Sequence, residues 1–273
     1  MGLCFNVLGS GSSGNATLVS DGDTHILVDA GLSGLQLGKR LRDCGVAPEK
    51  IAAIVISHNH GDHCGGVSQF VKKLDIPVYM APAAFENFFR TDPVKSEDDK
   101  RPYVPSAKHR AISPGETFAV GGIAVTSFSV PHDATDPLGF VLEKDGVKIG
   151  VALDLGFMSN LVIERLKGCA GLVLESNHDV RMLQAGPYPW ELKQRVMSRS
   201  GHLSNDAVAK FLSCDFDGAA AHVVLAHLSR KNNMPEVALI SAQTAIEERD
   251  GLGLCATRCE LSYPDRISKT YRY

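Results

Sequence analysis

Long hydrophobic runs are missing from this chain. No apolar stretch approaches the ~18 residues of a membrane span, so membrane insertion is not expected. The segment Met1 to Asn15 lacks the basic start and apolar run of an export signal, so a cytoplasmic location is the expectation. A large charge excess is missing too: the formal net charge is −3, which removes any chain-wide attraction to nucleic acid or acidic lipid. A nucleic-acid substrate would need a local basic patch. Paired cysteines are absent. Cys4, Cys44, Cys64, Cys169, Cys214, Cys255 and Cys259 are odd in number and include no CxxC, which argues against a disulfide framework and for scattered reduced thiols. No repeat or low-complexity tract appears. What remains is ordinary for a globular enzyme: 273 residues, 44% hydrophobic and 22% charged, enough for a full-sized core.

Short strands and helices alternate along the chain. Leu3 to Leu8, Ala16 to Ser20 and His25 to Asp29 read as strands around a Gly9-to-Asn15 glycine-serine turn and an Asp21-Gly22-Asp23 turn. Leu35 to Asp43 has helical spacing, with Leu35, Leu37 and Leu41 apolar. Ile51 to Ile56 is a continuous β-branched run suited to a strand buried on both faces. Gly65 to Leu74 reads as a helix and Pro77 to Met80 as the next strand, a βαβ rhythm. Thr91 to Ser106, which includes Glu97, is charged and proline-punctuated and reads as a solvated loop. Strands then follow at 117–120, 123–129, 139–143, 147–153, 171–175 and 222–227, and helices at 161–166, 190–196, 205–212 and 236–249. No linker divides the chain, so residues 1–273 are expected to form one α/β domain of two similar halves.

The segment Ser57-His58-Asn59-His60-Gly61-Asp62-His63 ends a core strand and opens a helix. Residues two apart in extended chain point the same way, so His58 and His60 can reach one metal together. Asp62 and His63 lie past the turn at Gly61 and face a second position. Imidazole with carboxylate suits zinc, and manganese or iron less exclusively. Further ligands must come from distant strand ends, where His132, Asp154 and His227 stand. Taken singly, these three are equally a turn histidine, a helix cap and a core histidine.

Together the pieces Val28-Asp29-Ala30-Gly31, His58 to His63, Pro131-His132-Asp133, Leu153-Asp154 and Ala226-His227 resemble the metallo-β-lactamase superfamily. The resemblance covers most of the chain. It implies an αββα sandwich, two mixed sheets flanked by helices. It also implies a first metal on His58, His60 and His132, a second on Asp62, His63 and His227, Asp154 bridging, and Asp29 orienting a ligand histidine. Gly9 to Asn15, Asp29 to Ser33, Glu175-Ser176-Asn177-His178-Asp179, Gly201 to Asn205 and Ala226 to Ser229 are similar to its YycJ/WalJ-like subgroup, which is associated with 5′-to-3′ exonuclease action on DNA.

Such a centre, two divalent ions sharing a hydroxide, suits phosphodiester cleavage. Asp62 would act in catalysis as well as ligation. His202 and His178 lie outside the ligand set and are candidates to bind phosphate or protonate the leaving group. Ser12, Ser13 and Asn15 offer hydroxyl, amide and turn N–H groups for a phosphate. Arg195 and Arg199 sit in a mildly basic stretch, and Arg230 and Lys231 follow His227; both groups suit a phosphate backbone. Tyr188 and Trp190 suit base stacking or core anchoring, and core anchoring is the expectation. The leading function is therefore a metal-dependent phosphodiesterase acting on nucleic acid, a 5′-to-3′ DNA exonuclease. The alternatives are a hydrolase of a small phosphodiester, thioester or lactone with the same centre, and a non-catalytic metal-binding scaffold.

Overall fold

The computed structural model describes residues 2–94, 98–250 and 256–273. Glu97 of the acidic loop and Cys255 lie outside them. Six strands come first: β1 (Cys4–Gly9), β2 (Ala16–Ser20), β3 (His25–Val28), β4 (Ile51–Val55), β5 (Val78–Met80) and β6 (His109–Ala111). Seven follow: β7 (Thr117–Val120), β8 (Ile123–Ser129), β9 (Leu138–Lys144), β10 (Val147–Ala152), β11 (Gly171–Glu175), β12 (His222–Ala226) and β13 (Arg258–Leu261). A final strand, β14 (Tyr271–Arg272), returns to the first sheet. The two sheets run β14-β1-β2-β3-β4-β5-β6 and β13-β12-β11-β10-β9-β8-β7. Each is antiparallel on one side and parallel on the other, from β3 through β6 and from β10 through β13.

The two sheets share one buried interior. Phe5, Ile26 and Ile54 of the first pack with Val125, Phe140 and Val224 of the second in one apolar cluster. A second cluster seats the helices Asn160–Leu166, Asn205–Lys210 and Pro235–Asp250 on the other face of the second sheet, through Val162, Val208 and Ala242. Each fully buried side chain of this size contributes roughly 1.5–3 kcal/mol. The parallel strands β4, β11 and β12 are buried almost throughout, which is why they read as continuous apolar runs. The layers are those of the expected αββα sandwich.

Two helices depart from expectation. Gly34–Asp43 is capped by Ser33, whose side chain accepts from the Gln36 N–H. Its buried face is Leu37, Gly38, Arg40 and Leu41, while Leu35 is 80% exposed. The Arg40 guanidinium completes that face by donating to the Leu8 and Pro264 carbonyls. The helix expected over 65–74 is two shorter ones, Gly61–Cys64 and Val67–Val71, interrupted at Gly65-Gly66. The first turn of helix thus begins inside the histidine motif. The described cysteines are all free thiols, as expected.

Candidate metal centre

The candidate ligands come from loops after strand ends and from the helix Gly61–Cys64, and at three of the strand ends the backbone turns sharply. Asp29, Asp154 and His227 follow β3, β10 and β12 with φ of 62°, 55° and 56°. Non-glycine residues seldom occupy this left-handed region, and holding one there costs about 1–3 kcal/mol. The turn swings each side chain off the sheet edge toward the same point. Ser57 fixes one of these corners: its N–H and hydroxyl both donate to the Asp29 carboxylate, at 2.8 and 2.9 Å. Gly31 fixes another. A Cβ there would lie 1.6 Å from the Asp62 carbonyl oxygen, so only glycine lets the two segments approach.

Seven side chains converge in two groups. His58, His60, His132 and Asp154 form one, and Asp62, His63 and His227 the other, each with ligand atoms within 4.8 Å of one another; a third group, Asp154, Glu175, His202 and His227, overlaps both. Asp154 Oδ2 links the first two, 3.2 Å from His58 Nε2 and 2.8 Å from His63 Nε2.

The imidazoles are oriented from behind. His63 Nδ1 donates to Asp29 at 2.7 Å, His132 Nδ1 to the Gly201 carbonyl at 3.1 Å, and His227 Nδ1 to Glu175 at 3.0 Å. Each leaves Nε2 turned inward, the orientation that metal ligation requires. His58 Nε2 is buried with no hydrogen-bond partner among the described residues. His60 Nδ1 and His132 Nε2 face each other at 3.3 Å. These five histidines and two carboxylates fit divalent cations. Cys64 is not part of the set: its thiol donates to the His60 carbonyl at 3.0 Å and burial pushes its pKa up.

Charge divides the cluster. Burial holds the His58, His60 and His132 imidazoles below their ordinary value, so they are neutral. For His63, burial is outweighed by the Asp154 and Asp29 carboxylates, which push it up to about 10. His227 is raised too, burial being overcome chiefly by Asp154. Asp62 and Asp154 are held low: burial works against ionisation, but the neighbouring His227 and His63 prevail. Two anionic carboxylates are therefore already in place, and protons on His63 and His227 are what a metal would displace.

A residue that sequence reasoning left without a role sits behind the cluster. Glu175 ends β11 and is completely buried. Its Oε1 accepts from His202 Nδ1 at 2.7 Å and from His227 Nδ1; its Oε2 accepts from the Leu155 and Leu203 N–H groups at 2.7 and 3.1 Å. All its accepting capacity is spent on positioning. Its signals in the sequence were a charged residue closing the apolar run Gly171 to Leu174 and its place at the head of the subgroup-like piece Glu175 to Asp179. Next to it, Asn177 donates to the His227 carbonyl at 2.9 Å, so the same strand end also holds the His227 backbone.

The cavity over the cluster has a volume of about 130 Å³; His60, Asp62, Asp154 and His227 form its floor. Ser12, Asp133, Arg195 and His202 stand around it. For His202, burial is overcome by Glu175 and Asp154, and its pKa is pushed up to about 10. Ser12 and Ser13 are exposed, and neither backbone N–H donates within the protein among the described residues. Arg230 reaches Ser13 Oγ at 3.5 Å.

Three expected site residues are placed elsewhere. Asn15 is wholly buried: its Oδ1 accepts from Ser10 Oγ and the Gly11 N–H, and its Nδ2 lies 3.3 Å from the Asp62 carbonyl. It holds the serine turn against the metal loop, its Nδ2 also 3.0 Å from His63 Nε2. His178 is 2% exposed, lies off the cavity, and is held down to about 4 by burial; its backbone carbonyl accepts from Asn205. A buried, neutral imidazole away from the floor has no route to a leaving group. Arg199 lies over the Phe157 ring at 4.2 Å, outside the cavity wall. A wider groove of about 560 Å³ between Gly34–Asp43 and Val67–Val71 is lined by Leu35, Arg42, Phe70 and Lys72; with no imidazole and one carboxylate, Glu49, it offers no ligand set.

Residues 24–228 match the beta-lactamase superfamily domain. The chain is 34% identical over 257 residues to Exodeoxyribonuclease YycJ of Bacillus anthracis, covering 93% of this chain and 92% of that protein. It is 31% identical over 255 residues to Exodeoxyribonuclease WalJ of Streptococcus pneumoniae, with coverage of 93% and 92%. Among solved structures, the metallo-beta-lactamase fold protein YhfI from Bacillus subtilis superposes with a TM-score of 0.70 at 17% identity, over 98% of this chain and 99% of that one. Zn(2+)-bound PqqB from Methylobacterium extorquens gives 0.67 at 17%, over 99% and 100%. With its sheet order, its strand-end ligands and these full-length relatives, the chain belongs to the metallo-β-lactamase superfamily and, within it, to the group of YycJ and WalJ.

Proposed function

We propose that this chain is a metal-dependent phosphodiesterase that degrades DNA from the 5′ end. The observation that carries the reading is the shared cavity: metal donors form its floor, while His202, Arg195 and Ser12 stand around its mouth. The length-wide similarity to two proteins named exodeoxyribonucleases supports DNA as the substrate. We assign two divalent ions, zinc first and manganese or iron as alternatives, to His58, His60 and His132, to Asp62, His63 and His227, and to Asp154 between them. Ions held there would supply Lewis-acid polarisation of phosphate oxygens and activation of water at neutral pH.

The protein's own groups do the rest. Glu175 holds His202 by its Nδ1, which leaves Nε2 to hand a proton to the departing oxygen. The free N–H groups of Ser12 and Ser13, with Arg230 beside them, form a cradle for a neighbouring phosphate. Arg195, paired with Asp133, supplies positive charge at the mouth. Residues 1–273 would work as one domain in the cytoplasm. Among the described residues no helix is long and apolar enough to cross a membrane.

The small volume over the floor favours a second reading, a hydrolase of small phosphodiesters. A metal-reconstituted screen against end-labelled DNA, RNA and bis(p-nitrophenyl) phosphate separates the two. Stepwise release from 5′-labelled DNA, lost in His202→Ala with metal content intact, is expected. Hydrolysis of the small ester alone sinks the nuclease reading.

A further inference from the structure

Trp190, the one tryptophan in the chain, is 61% exposed. It opens the helix Trp190–Val196, whose N-terminus is capped by Pro189 without a side-chain hydrogen bond. Val196 anchors this helix in the protein, and Leu192, Arg195 and Val196 line the metal cavity. Trp190 points the other way. At 100° per residue it shares an outer face with Met197, itself 37% exposed. The expected core-anchor role is therefore ruled out, since the indole contributes nothing to the core. With Met197 on the same face the indole is more than one scattered apolar side chain, and exposed aromatic patches of this kind mark binding surfaces.

The surroundings select the occupant. Tyr188 lies two residues earlier, with the Lys231 ammonium 5.8 Å from its ring centre, and Lys231 follows the His227 ligand by four residues. Lys193 and Arg195 lie on the helix itself, and Arg230 reaches the serine turn at the cavity mouth. Aromatic rings and cations at this helix and on the loop after His227, with the helix's other face lining the phosphodiesterase cavity, are the chemistry of a single-stranded nucleic-acid track: cations on phosphates, rings on bases.

We infer that Trp190 is a stacking platform for a nucleobase of the DNA strand that threads past this helix into the metal cavity. The inference rests on the nuclease reading and adds a specificity-determining residue to it. Trp190 is a positioning residue that touches the substrate away from the reacting phosphate.

The chain's only indole is its own reporter. Metal-loaded protein is titrated with a phosphorothioate oligodeoxynucleotide under excitation selective for tryptophan. Binding should quench the emission, and an oligonucleotide of the same length and charge with abasic residues should not. Trp190→Ala should raise KM for DNA by roughly 5- to 150-fold, the range that loss of one base–aromatic stack gives. Trp190→Phe should keep most of the affinity, and both variants should hydrolyse bis(p-nitrophenyl) phosphate at the wild-type rate. Unchanged emission at saturating oligonucleotide, or a wild-type KM for DNA in Trp190→Ala, overturns the inference while leaving the nuclease reading intact. So does a Trp190→Ala variant that cuts DNA normally but loses self-association in sedimentation, which would assign the ring to a contact between copies. Failure of the wild type to cut DNA at all defeats the nuclease reading itself.

Discussion

Glu175→Gln is nearly isosteric, yet the hydrogen bonding around Glu175 leaves the amide no good orientation. Oε1 accepts from two imidazole Nδ1–H groups and Oε2 from two backbone N–H groups, all buried except the half-buried His202. Turned toward Leu155 and Leu203, the new NH₂ would oppose two donors that cannot change, at about 1–3 kcal/mol for each orphaned group, or roughly 2–6 kcal/mol together. Turned toward the histidines, it opposes the Nδ1–H groups of His202 and His227, which are left with Asp154 Oδ1, at 3.2 and 2.7 Å, as their acceptor. Both imidazoles lose one of the two carboxylates that orient them, and His227 with it part of its metal-facing pose. This is the lower-cost outcome, because the imidazoles have a second acceptor and the backbone amides do not. Losing a partner that orients a metal ligand weakens metal binding typically 10–100-fold. The expected variant is thus folded, melts within a few degrees of wild type, and shows weakened affinity at the group containing His227. Turnover should fall further than metal loss alone explains, because His202 loses its anchoring carboxylate. Chelator competition, elemental analysis and single-turnover DNA cleavage at saturating metal measure the three quantities. Wild-type metal affinity together with wild-type turnover would refute the positioning role of Glu175.

Elemental analysis after reconstitution should give about two divalent ions per chain, since seven donors exceed what one ion uses. His58→Ala and Asp62→Ala should each lose one ion of the pair, and full occupancy in both variants would disprove the ligand groups. Gly31→Ala should abolish activity and lower metal content without touching a ligand, because the new methyl falls 1.6 Å from the Asp62 carbonyl; an active, fully loaded variant contradicts that close approach. Lys144 donates to Asp21 Oδ2 at 2.6 Å, and although burial raises the Asp21 pKa, this bond and the Thr24 and Asp23 N–H groups hold it below its usual range. A depressed carboxyl contributes stability above its unfolded pKa that is lost as pH falls through its folded one. Lys144→Met should therefore start acid destabilisation at a higher pH in melting curves, and an unchanged acid limb would remove the pair from the stability of the fold.

How legible a residue was in the sequence depended on how local its reason for being there is. His58 to His63 could be read because its ligands are contiguous and the two-residue period of extended chain aims His58 and His60 together. The buried strands β4, β11 and β12 were legible for a similar reason: burial on both faces writes itself as an unbroken apolar run. His132, Asp154 and His227 carry no local mark and became visible only as an ordered set shared with a family. The misreadings all turn on which side of the chain is covered, and that is decided by segments far away. Asn15 looked like a turn residue open to phosphate, but Asp62, 47 positions on, closes over its amide. Leu35 looked apolar-facing, yet Arg40 took the buried face because the Leu8 and Pro264 carbonyls were there to receive it. His178 and Trp190 exchanged their expected surroundings, the polar ring going inside and the largest apolar one outside. Glu175 is the sharpest case. A carboxylate at 0% exposure is an unfavourable burial unless every lone pair is met. The four donors that meet it come from residues 155, 202, 203 and 227, on three different loops. No window of sequence contains that fact, yet it is what ties the general-acid candidate and a metal ligand to one buried anion, so the chemistry of the site is set one layer behind the residues that perform it.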